Sequence, residues 1–113
     1  MLRNANTTEK LVLASDAPAA ATAAVVTLAA TTGQMWVIRA IHFSYDAAPA
    51  AGTGSLIITE NGTPKYTLYT TAAGAGPVPL PDNGMQFASG AVVVVTLASG
   101  AGTVKGALNG WSQ

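Results

Sequence analysis

At 113 residues the chain has room for one domain and not two, and five basic against five acidic residues give it a formal net charge of zero. Charged residues make up 9% of the chain, against the quarter to third usual on soluble surfaces; cysteine is absent and His42 is the sole histidine. That excludes disulfide staples and thiolate metal sites, and it leaves little material for acid–base catalysis. Arg3, Lys10, Arg39, Lys65 and Lys105 are scattered singly. The basic clusters that draw phosphate backbones or anionic membranes are therefore missing, and neither nucleic acid nor membrane is an expected partner. No apolar run approaches the roughly 18 residues of a membrane helix. Leu11 to Ala14 is too short for the apolar core of a secretion signal, with Glu9 just before it.

In chain order, residues 1–9 are polar and aperiodic, with Leu2 the sole sizeable apolar side chain after the initiator. Such a segment cannot offset its own ordering entropy, so it reads as an N-terminal arm, frayed or ordered on a neighbour. The single domain then spans residues 10–113. Residues 10–14 form a short strand candidate that Ser15, Asp16 and Pro18 break. Residues 19–30 pull both ways: alanine favours helix, whereas Thr22, Val25, Val26 and Thr27 favour strand. The surrounding β pattern decides for a strand over residues 23–29.

Residues 34–45 form the longest strand candidate. Val37, Ile41, Phe43 and Tyr45 share one face and Trp36, Ile38, Ala40 and His42 the other. Apolar groups on both faces make it a central strand, with a bulge expected near Arg39. Residues 55–60 alternate next. Asn61 and Gly62 are the strongest hairpin signal in the chain, since both tolerate positive φ, and the return strand covers residues 65–70. Residues 72–84 read as an extended, largely unpaired loop, because Pro77, Pro79 and Pro81 fall at every second position. Strands at 85–88, 91–98 and 103–109 complete the chain. About eight short strands at even spacing specify an all-β fold, an antiparallel β-sandwich of jelly-roll type.

The chemistry-bearing motifs are sparse. None of Glu9, Asp16, Asp46, Glu60 and Asp82 lies where it would share a strand face with His42, apart from Asp46, where a loop begins. The chain therefore reads as non-enzymatic, with no cofactor and no metal. Asp82-Asn83-Gly84 lacks the further ligands of a calcium loop and reads as a turn. The glycines at 74–76 and 100–102 precede prolines or a strand where a phosphate loop would start a helix. Asn6-Thr7-Thr8 and Asn61-Gly62-Thr63 match the glycosylation pattern by chance, the second being a hairpin tip. Tyr66 and Tyr69 stand three apart and face opposite ways in a strand, which weakens a sugar-stacking platform. Trp111 either closes the sandwich or anchors a neighbouring chain, as tryptophan does at interface hot spots.

The run Met35-Trp36-Val37-Ile38-Arg39-Ala40-Ile41 with His42-Phe43-Ser44-Tyr45 resembles the first long strand of small virion proteins from tailed bacteriophages. So does the later order of a loop at Gly76-Pro77, a turn at Asp82-Asn83-Gly84, a strand from Val92 to Leu97, and a close on Gly106-Ala107-Leu108-Asn109-Gly110. The resemblance covers the chain from about Gln34 onward. It implies a non-catalytic jelly-roll subunit, often trimeric, that decorates the outer capsid surface and cements the major capsid protein. A head-fibre or tail role on the same sandwich, or a carbohydrate-binding module, is the alternative. The residues expected at protein interfaces are Leu2, Arg3, Lys10, Trp36, Tyr66, Tyr69 and Trp111. A protein of this kind is made in the host cytoplasm and works on the virion.

Overall fold

The computed structural model describes residues 12–30, 32–33, 35–50, 52–70, 72–80, 84–100 and 106–112, with the backbone alone at 12–13 and 107–112. The expected arm at residues 1–9 lies outside the described residues. Among those described, nine strands follow in order: β1 (Val12–Asp16), β2 (Ala24–Leu28), β3 (Val37–Tyr45), β4 (Ser55–Glu60), β5 (Thr63–Tyr69), β6 (Gly74–Pro77), β7 (Met85–Gln86), β8 (Val93–Leu97) and β9 (Gly106–Ser112). They form two antiparallel sheets. One runs β1-β9-β3-β6, with the two-residue β7 also on β3, and the other runs β2-β8-β4-β5.

The pairings are nested. β4 pairs β5, β3 pairs β6, β2 pairs β8 and β1 pairs β9, like one long hairpin. Rolling that ribbon on itself adds the contacts β3·β9 and β4·β8, which close each sheet across its middle. This is the jelly-roll path, a double Greek key, and the molecule is an all-β sandwich of that type.

Period-two alternation builds the four-stranded sheet. Ala24, Val26 and Leu28 of β2, Val93, Val95 and Leu97 of β8, and Leu56 and Ile58 of β4 point inward and are buried. Val25 and Thr27 point out. Segment 19–30 had helix-favouring alanines, but a helix would spread the apolar side chains of β2 around its circumference. As a strand it lays three of them in the core, each contributing a kilocalorie or so per mole, about 25 cal/mol per Å² buried. The β4–β5 hairpin turns at Asn61 (φ 51) and Gly62 (φ 84), both left-handed, as the dipeptide predicts.

The five-stranded sheet is less regular. β3 pairs β9 with a register shift between Ile38 and Ala40, the bulge expected at Arg39. The shift lets Ile38 and Ile41, three apart, both face the core, where strict alternation would oppose them. Strand β6 corrects the reading of residues 72–84 as unpaired. Gly74–Pro77 pairs with Tyr45 to His42 of β3, and the Val78 N–H donates to the Ile41 carbonyl at 2.8 Å. The proline sits at the end of a short edge strand, where its missing donor is tolerated. β1 also runs on through Ser15 and Asp16, which the sequence reads as breakers.

Cross-links tie the two layers together. The Tyr45 hydroxyl donates to the Ala98 carbonyl at 2.7 Å, and Trp36 Nε1–H donates to the Ala29 carbonyl at 2.9 Å. Gly106 leaves room for the first of these: a Cβ there would stand 2.9 Å from Leu97 Cδ2 and 3.3 Å from Tyr45 Cε1.

Candidate interaction surfaces

The seven residues expected at interfaces fall into different places. Leu2, Arg3 and Lys10 lie outside the described residues. Trp36, just before β3, is half-buried against the core, and its indole N–H is engaged by Ala29. It works as an internal strut between the layers. Tyr66 and Leu68 of β5 face inward and pack on the core. Tyr69 faces outward and is 78% exposed, so the two tyrosines do stand on opposite faces. The backbone of Trp111 pairs with Leu13 and with Ala40, and its side chain lies outside the description. Of those among the seven whose side chains are described, Tyr69 alone stands on an open surface.

What sequence reading missed is the surface around Tyr69. Three rows cross the outer face of the four-stranded sheet: Ser55 and Tyr69; Val25, Thr96, Ile57 and Thr67; and Thr27, Val94, Thr59 and Pro64. None of these carries a charge. Two of the three large exposed apolar side chains of the molecule's described part, Val25 and Tyr69, belong to this face, the third being Met35. The signal was present in the sequence as threonine and β-branched residues at alternate positions of four strands. Only the strand order sets those positions side by side.

Charged groups sit at the rims. Glu60, at the tip of the β4–β5 hairpin, accepts the Ala88 N–H at 2.6 Å and lies 3.6 Å from Lys65 Nζ. Beside it Asn61 makes a reciprocal pair with Val92: its N–H donates to the Val92 carbonyl at 2.9 Å, and its Oδ1 accepts the Val92 N–H at 3.1 Å. At the β1–β2 corner Asp16 Oδ2 accepts the Val25 N–H at 2.8 Å. These carboxylates are spent on the backbone of their own chain. The Lys65 pair is half-exposed and, at 3.6 Å, loose, and such surface pairs contribute little.

His42 is exposed on β3, with Asn109 and Pro77 as its strand neighbours. Among the described residues no three histidine, cysteine or acidic side chains gather where they could hold a metal ion. The phenol of Tyr45 is shifted in its affinity for its proton. Burial raises its pKa above the ordinary value, and a backbone hydrogen bond at Ser55 lowers it by less. Its role is to bridge the layers. No protein-family model and no curated protein matches this chain.

Proposed function

We propose that this chain is a structural subunit of a virion, a decoration protein that binds the outer capsid surface and stabilises the head. Its partners are the major capsid protein and copies of itself, in a homotrimer. It performs no chemistry on a substrate. The observation that carries the reading is the charge-free outer face of the four-stranded sheet. Docking such a face desolvates hydroxyls and methyls and no ions, and stripping an unpaired ion of water costs several kcal/mol. A plan area four strands wide and about five residues long is roughly 300 Å², below the roughly 800 Å² per partner of a standard interface. One contact of that size is weak. Many copies on a closed shell sum such contacts, and that is how a cement protein acts.

The test uses heads of the encoding phage assembled without this protein, to which the purified chain is added. Binding to the heads, with a higher temperature of head disruption, is the expected result. Ile57→Lys and Thr96→Lys, each setting a charge in the middle row of the face, are expected to weaken that binding at least about tenfold, the cost of some 1.4 kcal/mol. Failure of the native chain to bind heads at any concentration would end the reading. Binding to tails or fibres, seen by electron microscopy of labelled particles, would replace it with the alternative virion role.

A further inference from the structure

We propose that the outer edge of β2 is a latent strand-pairing site for a second copy of this chain, held shut by the Asp16 carboxylate. Among the described strands β2 has one neighbour in its sheet, β8. The Val25 N–H donates to Asp16 Oδ2 at 2.8 Å, so it points away from β8 and out of the sheet. Alternation along the backbone turns the Thr27 N–H and carbonyl to that same side. Asp16 closes β1, which belongs to the other sheet. One side chain therefore links the layers and fills a donor that an incoming strand would need. Its oxygens also meet any incoming backbone carbonyl as acceptor against acceptor.

Two of the other edges, β5 and β6, carry different devices. β5 has Pro64 and, at its bulge, Lys65; β6 is four residues long and ends in Pro77. Proline, lysine and shortness are the usual means of keeping sheet edges apart. The β2 sequence Ala-Val-Val-Thr-Leu has no proline and no charge, and Val25 is 42% exposed. Uncharged β-branched strands of this kind pair readily.

The strand also fits itself. Antiparallel pairing of two β2 strands about Val26 sets Val25 opposite Thr27 of the second copy, and Thr27 opposite its Val25. Both residues turn their backbone groups outward, so these are hydrogen-bonded pairs that exchange an N–H and a carbonyl each. Two four-stranded sheets would join into one of eight. The inference stands apart from the decoration reading, because it concerns free subunits and is tested with no shell present.

The experiment compares native protein with Asp16→Ala, Asp16→Ser and Asp16→Asn by sedimentation velocity over a wide concentration range. Amide exchange is followed residue by residue on the same samples. Asp16→Ala and Asp16→Ser should form a species twice the mass of the native particle as concentration rises. Exchange at Val25 and Thr27 should slow roughly tenfold or more between dilute and concentrated samples, as expected of amides that gain a partner. Asp16→Asn, which keeps an acceptor oxygen in place, should sediment like native protein. The proposal is overturned if the folded Ala and Ser variants sediment as native protein does. It is equally overturned if they associate without protecting Val25 and Thr27, or if Asp16→Asn associates as they do. Failure of both variants to fold would make Asp16 a strut of the fold and would overturn it too.

Discussion

The two sheets of this sandwich are held by different means. In the four-stranded sheet every inward position of β2, β8 and the middle of β4 is a buried aliphatic side chain, and the registers run unbroken from β2 through β8 to β4. In the five-stranded sheet β3 is bulged, and β6 is Gly-Ala-Gly-Pro with no large side chain at all. The first is organised by rows of side chains. The second buries Ile38, Ile41 and Tyr45 of β3 but relies, at β6, on backbone pairing that neighbouring segments impose. Substitutions should therefore act through packing in the four-stranded sheet and at β3, and through backbone geometry at β6.

The largest expected effect lies in the four-stranded sheet. Leu97 is fully buried; it pairs with Ala24 on one side and Leu56 on the other, and lies against the Gly106 backbone of the facing layer. Leu97→Ala should lower unfolding stability by about 2–5 kcal/mol, the lost transfer free energy plus the cavity left behind. Denaturant titration reads this as a fall in midpoint at unchanged slope. Ala75→Ser, on exposed β6, should stay within about 0.5 kcal/mol. Equal losses at the two sites would erase the contrast between the sheets.

A smaller effect is expected at the bridge between the layers. Tyr45→Phe keeps the ring in the core and removes the donor to the Ala98 carbonyl, with an expected loss of about 1–2 kcal/mol. The same residue sets a pH dependence. Burial raises the native phenol pKa above its unfolded value near 10. Above that value the unfolded chain has lost a proton that the native chain still holds, so the unfolded state binds fewer protons and stability falls as pH rises. The contribution is whole below pH about 10 and is lost as pH climbs through the native pKa. Chemical denaturation in alkaline buffers should show this decline in native protein, with less of it in Tyr45→Phe. A parallel decline in both would assign it to other groups.

The same contrast governs how much the sequence reveals. Strands β4 and β8 are legible because alternation and β-branching declare the element, whereas β2, with its helix-favouring alanines, is legible through the β pattern around it. The Asn61-Gly62 turn is legible because two adjacent residues that tolerate positive φ have few other uses. The bulge in β3 could be read from apolar residues on both faces of one long segment. β6 was not legible. Its glycines and prolines speak for a loop, and what makes it a strand is the free second side of β3, which no local pattern encodes. The candidate interaction surface divides the same way. Tyr69 could be picked as an exposed aromatic, whereas Trp36 was indistinguishable from one until the Ala29 carbonyl came within 2.9 Å of its indole nitrogen. The charge-free face exists only once β2, β8, β4 and β5, far apart in sequence, lie side by side.

The smallest expected effect tests whether the path into β2 carries strain that packing has to overcome. Ala21, between Pro18 and the first residue of that strand, has φ 58, a conformation that the methyl of an L-residue disfavours. It is exposed and has no buried side chain to lose. Ala21→Gly would relieve roughly 1–2 kcal/mol of local strain. Against that, glycine adds conformational freedom to the unfolded chain, an offset of about 0.4–1 kcal/mol. The net expectation is a gain of about 0–1.6 kcal/mol, centred on about 0.8, the difference of those two terms. Thermal unfolding of the two proteins side by side would read it as a rise of a few degrees. A fall in stability would mean that the segment reaches β2 without strain, and that the row of Ala24, Val26 and Leu28 does not have to pull the chain into place.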